Sequence, residues 1–360
     1  MKLSIGIVGL PNVGKSTLFN TLTNNSVPAE NYPFCTIDPN VGIVAVPDVR
    51  LEKLAEIVKS EKIIPAVVEF VDIAGLVKGA HKGEGLGNQF LANIREVSAI
   101  VHVVREFVDN RVVHVSNRID PKDDIEIINA ELILRDLETI EEKMKKLGRQ
   151  SRFDEKSADQ LTFITALKAY LESGELANRF HYECDWNITN FRKELFLITD
   201  KPVIYLINVS DIKEERDMKK NLGLKKDDIV MQMDIKTEFE ISRLNKNERE
   251  EFIKELGLEE PALNKLIRET YKILGLLSFF TVGPKEVRAW TIKKGDNIKE
   301  AGAAIHNDFK DKFIAAEVIG YEDFIKYKGW EAGKRAGKVR SEGKNYIVKD
   351  GDVVIFKHGA

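Results

Sequence analysis

Residues 9–16 read Gly-Leu-Pro-Asn-Val-Gly-Lys-Ser, and what flanks them decides the fold. Upstream, residues 3–8 form a short apolar run rich in isoleucine and valine, the mark of a buried strand. Downstream, Leu18, Phe19 and Leu22 recur at helical spacing. A strand, a turn with two glycines, then Gly-Lys-Ser opening a helix is the setting that the phosphate-loop pattern G-x-x-x-x-G-K-[ST] requires. Gly9 and Gly14 allow backbone N–H groups to turn inward around phosphate oxygens. The helix N-terminus adds its positive end. In such a loop Lys15 reaches the β- and γ-phosphates and Ser16 offers a hydroxyl to Mg²⁺. The stretch predicts a nucleoside triphosphate site.

Four further apolar runs, at 67–71, 99–104, 203–207 and 229–233, look like buried parallel strands with helical patterns between several of them. Alternation of this kind predicts a doubly wound α/β sheet, with its ligand at the carboxyl ends of the strands. The other chemical motifs fall at such ends. Asp72-Ile-Ala-Gly75 follows the second run: Asp72 is placed to hold Mg²⁺ through water, and the Gly75 N–H to meet the γ-phosphate. Thr36, in the loop Tyr32-Pro-Phe-Cys-Thr36, is placed to close over Mg²⁺ in the triphosphate state. Gly79, Gly83, Gly85 and Gly87 predict a segment that orders on binding. Asn208-Val-Ser-Asp211 ends the fourth run, where a base-reading N-K-x-D motif belongs. Asp211 is suited to guanine N1–H and the exocyclic amine, whereas Val209 replaces the lysine and favours adenine. The residues leave ATP and GTP both open.

The alternation breaks at about 124–195. Ala130, Ile133, Leu137, Ile140, Met144 and Leu147 recur every three or four residues, as in a coiled-coil seam. A polar turn at 148–154 and a return through Leu161, Ile164, Leu167 and Leu171 predict an inserted antiparallel helical hairpin. From residue 278 the pattern changes again. Runs at 279–282 and 287–292 flank Gly283-Pro-Lys-Glu286 as a hairpin. A helical stretch near 298–305 and short strands near 314–318, 346–348 and 353–356 complete a small α+β domain. The expected division is 1–123 with 196–277 for nucleotide, 124–195 for the helical insert and 278–360 for the C-terminal domain.

Composition narrows the function classes. The 360 residues are 43% hydrophobic and 31% charged, as in a globular protein with a full core. A net charge of −3 excludes a general polyanion binder but leaves a local basic face open. Basic patches lie near Lys143–Arg152 and Lys334–Lys344, where a solvated surface and an RNA contact are both compatible with the residues. Two distant cysteines, Cys35 and Cys184, make neither a metal pattern nor a disulfide framework. The N-terminal apolar run is too short for a signal peptide, and no run approaches a membrane span, so a cytoplasmic chain without membrane contact is expected.

The loop with its following Thr17, Asn31-Tyr-Pro-Phe-Cys-Thr36, Asp72-Ile-Ala-Gly-Leu-Val-Lys-Gly-Ala, Ala304-Ile-His-Asn-Asp-Phe, the run Gly337-Lys-Val-Arg-Ser-Glu-Gly-Lys-Asn-Tyr and the closing Asp350-Gly-Asp together resemble the YchF/Obg-like ATPase family over nearly the whole chain. The resemblance implies a GTPase-like nucleotide domain, a coiled-coil insert and a C-terminal TGS domain of β-grasp type. It implies hydrolysis of ATP in preference to GTP, and association with the ribosome, chiefly its large subunit and the 70S particle. It assigns nucleotide contacts to Asn12, Val13, Gly14, Lys15, Ser16, Thr17 and Val209, and Mg²⁺ to Ser16 and Thr36. The family usually ends the base-reading motif in glutamate, and Asp211 departs from that, as does Asp234-Ile-Lys236 in the later base-side loop. Leu76 stands where many GTPases have a water-orienting glutamine, so hydrolysis is expected to be slow. Asn12 resembles the residue that coordinates K⁺ in cation-activated relatives, and His114 matches a family histidine able to orient water, with His81 a weaker candidate. A GTPase in ribosome assembly or translation, and a scaffold that nucleotide only stabilises, remain the alternatives.

Overall fold

The computed structural model describes residues 3–24, 40–73, 94–109, 118–151, 153–210 and 218–359. They gather into two compact units. One runs to Asn24, takes in 40–42 and continues through Glu69–Ala262; the other is built from Ile43–Val68 and Leu263–Ala360.

The strands of the first half are β1 (Ser4–Val8), β2 (Val41–Ala45), β3 (Ile63–Ile64), β4 (Val67–Asp72), β5 (Ala99–Arg105), β6 (Val203–Asn208) and β7 (Ile229–Met233). Six of them form one sheet in the order β2-β4-β1-β5-β6-β7. From β4 to β7 every pairing is parallel. β1 and β5 are buried along their whole length, which is why their sequences are unbroken apolar runs rather than alternating ones. The chain crosses from β1 to β4 on one side and to β5 on the other, so β1 lies at the reversal of strand order where such sheets open a crevice. Helix α1 (Lys15–Asn24) leaves β1 directly at that point.

Between β5 and β6 rises the helical insert. α2 (Arg50–Val58) precedes it in the chain; the insert itself is α3 (Pro121–Gln150) and α4 (Glu155–Glu172), with α5 (Ile188–Leu195) folded against them. Asp120 caps α3 by accepting from the Asp123 N–H, with proline at the first turn. Asp154 caps α4 by accepting from the Ser157 N–H. Between them, the Ser151 N–H still bonds the Leu147 carbonyl, so the turn is short and the helices return antiparallel. Ile133, Ile140 and Leu147 meet Phe163, Ile164, Leu167 and Leu171 as the seam predicts, with Leu137 and Met144 half-buried. Ala130 is exposed instead, and Ile128 and Leu132 take the buried positions there. The sequence also conceals an aromatic cluster: Phe180, Tyr182, Trp186 and Phe191 surround the ring of Phe163.

A buried carboxylate fixes α3 to the segment that leads into β6. Asp136 accepts from the Ile198 N–H (2.8 Å), the Thr199 N–H (2.7 Å) and the Thr199 hydroxyl (2.6 Å). Burial pushes its carboxyl up, and these bonds oppose that by favouring the charged form.

The second unit holds a mixed sheet in the order β11-β10-β12-β8-β9-β3, where β8 is Leu276–Val282, β9 Val287–Lys293, β10 Phe313–Gly320, β11 Arg340–Glu342 and β12 Asp352–His358. β8 and β9 make the predicted hairpin, closed by the Gly283 N–H on the Glu286 carbonyl. Two features differ from expectation. Residues 346–348 make only an isolated bridge, Asn297 to Ile347, and 340–342 form the edge strand instead. β3, far away in sequence, pairs in parallel with β9. Arg50 of α2 binds Asp48 (2.9 Å) and Asp350 (2.7 Å) and lies 4.9 Å over the Phe280 ring. The Tyr271 hydroxyl is within hydrogen-bond distance of the Ser278 and Thr291 hydroxyls.

The molecule is thus an α/β phosphate-loop sheet, parallel from β4 to β7, with an inserted helical hairpin, plus a second, mixed sheet. Among the described residues no helix is long and apolar enough to cross a membrane. Cys184 is a free thiol.

Candidate nucleotide site

The loop from Gly9 to Gly14 is shaped by two contacts that exclude any side chain. A Cβ on Gly9 would come within 2.4 Å of the Val103 carbonyl oxygen, and one on Gly14 within 2.6 Å of the Asn208 amide nitrogen. Both glycines also have positive φ, 152° and 106°, as does Asn12 at 63°. The chain can therefore bend tightly against β5 and β6 before entering α1. The first turn of α1 contains no acidic residue, so its positive end is unneutralised by its own sequence.

Lys15 is buried, and its Nζ donates to the Leu10 carbonyl across the loop at 2.7 Å. Burial lowers its pKa, and the nearby charge of Asp72 partly restores it. Asp72 shows the mirror image: burial raises its carboxyl and the charge of Lys15 lowers it. Among the described residues the Lys15 ammonium bonds one carbonyl, with the charge of Asp72 near it, and so is poised for a stronger anion. Ser16 is exposed at the second position of α1, and Val13 is buried beneath the loop.

Asn208 ties the parts together. Its side chain donates to the Val13 carbonyl (2.9 Å) and accepts from the Ile235 N–H (3.2 Å), at the start of α6 (Ile235–Arg243). Its own carbonyl accepts from the N–H groups of Glu106 and Phe107. One residue thus braces the phosphate loop, the segment after β5 and the helix after β7. Val209 is buried in a cluster with Val104, Ile125, Tyr205 and Leu222, and its N–H bonds the Met233 carbonyl. Asp234 caps α6 through the Lys236 and Thr237 N–H groups, so the altered base-side loop has a local structural role.

Two buried polar residues escaped sequence reasoning. His102 lies inside β5, in register with Val8, its ring 5.5 Å from that of Tyr205. Burial first, and the charge of Lys15 second, bring its pKa down to about 3, so it is neutral at ordinary pH. Arg105 ends β5, almost wholly buried; it donates to the Phe107 carbonyl (3.2 Å) and lies 4.3 Å over the Phe107 ring. Neither has a local sign, because a single polar residue in an apolar strand disturbs no pattern.

The structure brings together Asn12, Val13, Gly14, Lys15, Ser16, Thr17 and Asn208, with the charge of Asp72 reaching Lys15. Thr36, Gly75, Leu76, His81, His114 and Asp211, and the glycines at 79, 83, 85 and 87, lie outside the described residues. Among the described residues no three His, Cys, Asp or Glu side chains group as a protein-only metal site. The hydroxyl of Ser16 and the carboxylate of Asp72 are hard oxygen donors, a set that suits Mg²⁺ completed by phosphate and water.

Comparison with known proteins agrees with this architecture. A family model described as "50S ribosome-binding GTPase" matches residues 4–146, and the YchF-GTPase_C model, described as "Protein of unknown function (DUF933)", matches residues 276–359. "Ribosome-binding ATPase YchF" of Escherichia coli O157:H7 is 48% identical over 361 residues, covering 99% of both chains. The protein of the same name from Bacillus subtilis (strain 168) is 47% identical over 366 residues, again covering 99% of each. The solved structure of the Schizosaccharomyces pombe YchF GTPase superposes with a TM-score of 0.87 at 36% identity, covering 99% of this chain and 98% of that one. Sheet, insert, phosphate loop and full-length similarity lead to one assignment: the chain belongs to the YchF family of P-loop nucleoside triphosphatases.

Proposed function

We infer that the protein is a slow, ATP-hydrolysing switch that binds the ribosome, chiefly its large subunit and the 70S particle, in the cytoplasm. The observation that supports it most is the loop Gly9–Ser16, with Lys15 inside it and Asn208 bracing it against the base-side helix. Relatives matching almost the full length carry the name ribosome-binding ATPase.

In this reading Lys15 exchanges the Leu10 carbonyl for the β- and γ-phosphates, while the N–H groups of residues 12–17 and Gly75 surround them. Ser16, Thr36 and Asp72 would hold Mg²⁺, which would supply neutralisation of phosphate charge. Asn12 is the candidate ligand for an activating K⁺, and His114 the candidate to orient the attacking water in place of the missing glutamine. Asn208, Val209 and Asp211 face the base.

The names of the relatives disagree on the base: the bacterial proteins are called ATPases, whereas the matching Schizosaccharomyces pombe structure and the family model are called GTPases. Calorimetric titration of ATP and GTP analogues with Mg²⁺ decides it. A clear ATP preference is expected. A GTP preference of tenfold or more, about 1.4 kcal/mol, would show that Asp211 restores guanine reading. Co-sedimentation with ribosomes, with and without nucleotide, tests the switch. Association that ignores nucleotide and survives Lys15→Ala would favour the scaffold reading.

A further inference from the structure

The far end of the helical arm carries charge and an aromatic ring that the fold does not use. Along α3, carboxylates dominate up to Glu142, but from Lys143 to Gln150 every charged residue is Lys or Arg. A helix C-terminus favours a cation in its last turn. That accounts for Arg149; Lys145 and Lys146 lie one turn further back. Lys145, Lys146 and Arg149 are exposed, and Lys145 and Arg149, four residues apart, share a face. None of the three is in an ion pair among the described residues. Glu141, the carboxylate nearest in sequence to the run after Glu142, is bonded to Lys168 at 2.9 Å, with the charge of Lys145 reaching it more weakly, and Asp154 accepts from the Ser157 cap.

Beyond them stands Phe153, 90% exposed. The turn owes its form to other groups: the Phe153 N–H on the Gln150 carbonyl, the Ser151 N–H on the Leu147 carbonyl, and the Asp154 cap. The phenyl ring contributes to none of these. Single exposed apolar residues are common on proteins. A ring presented at the end of an arm roughly 45 Å long, past a helix end where three exposed cations make no ion pair among the described residues, has a narrower use. One exposed aromatic face at the end of a helix whose last turns are basic lacks the apolar area that a protein interface needs, but fits an unpaired base with its phosphates.

We propose that this tip binds single-stranded RNA: Phe153 stacks on an unpaired base while Lys145, Lys146 and Arg149 take the adjacent phosphates. The proposal deepens the ribosome-binding reading and rests on it for its choice of RNA. The probe is a fluorescent single-stranded RNA of about a dozen nucleotides, titrated with the full chain, alongside co-sedimentation with ribosomes. Phe153→Ala is expected to weaken RNA binding about tenfold and Phe153→Trp to restore it. Replacing Lys145, Lys146 and Arg149 together by alanine should reduce the slope of log affinity against log salt by about 2. Circular dichroism and nucleotide hydrolysis in the absence of ribosomes should be unchanged in all variants. If Phe153→Ala binds the RNA as the parent chain does, the proposal is overturned. A variant that loses ribosomes but keeps the RNA also overturns it, because the tip would then grip an acidic protein. If the parent chain binds RNA through Phe153 yet does not sediment with ribosomes, the tip stands and the ribosome reading fails.

Discussion

Polar side chains are paired in both units, but with different kinds of partner. Around the phosphate loop the charged or amide side chains lean on the main chain: Lys15 on Leu10, Asn208 on Val13, Arg105 on Phe107. In the second unit they lean on one another: Arg50 on Asp48 and Asp350, Tyr271 on Ser278 and Thr291, Tyr346 on Asp352. A neutral carbonyl holds a cation weakly, so its bond is readily exchanged for one to phosphate. A carboxylate completes a cation and leaves nothing to exchange. The first arrangement serves binding and the second serves stability.

Four substitutions can break or sharpen that contrast. The largest effect is expected from Lys15→Ala, which should weaken nucleotide affinity by about 100-fold, or about 3 kcal/mol. Because burial disfavours its charge, the same change should leave the unfolding midpoint near that of the parent. A large loss of stability would place Lys15 with the structural groups. Arg50→Ala should do the reverse. Removing the cation shared by half-buried Asp48 and exposed Asp350, and its contact with Phe280, should cost about 1–2 kcal/mol in denaturant unfolding, with nucleotide affinity unchanged.

Asn208→Ala should affect both quantities, because it unties the loop and strands the Ile235 N–H. We expect about 1–2 kcal/mol of stability lost and a several-fold weaker nucleotide. An effect on affinity alone would make Asn208 a ligand contact rather than a brace. The last test concerns pH. The folded-state pKa of His102, about 3, lies below its ordinary value of 6.5, so between these values the unfolded chain binds a proton that the folded chain does not. Stability from this residue is present above 6.5 and is lost as pH falls toward 3. His102→Phe should flatten that part of the acid-unfolding curve; an unaltered curve would mean the imidazole is charged in place.

The same contrast explains what could be read from sequence. The phosphate loop is local: strand, turn and helix lie within some twenty residues, and its glycines announce the backbone they need. The α3–α4 seam is legible for the same reason, since Ile133, Ile140 and Leu147 keep a strict period. Long-range closure leaves no such trace. Nothing in Ile63-Ile64 says that it will pair with β9, and Phe163 does not announce its four aromatic neighbours. The stretch 346–348 has a strand's composition, yet its backbone is spent on the Asp296–Ile298 turn, and the exposed 340–342 pairs with β10 instead. His102 is invisible because it owes its place to neighbours on other strands, and Arg105 because one polar residue at the end of an apolar run disturbs no pattern.

The bonds of Asp136 also set the mechanics of the arm. They fasten α3 at a point near the middle of its length, to the very main chain that leads through residues 200–202 into β6 and Asn208. The outer part of α3 beyond that fulcrum is a stiff rod of roughly 20 Å. A tilt of about 5° at the fulcrum therefore swings the end by about 2 Å, more than the width of a hydrogen bond's tolerance. Adjustments too slight to notice around residues 197–199 would arrive at the outer end as the making or losing of a contact.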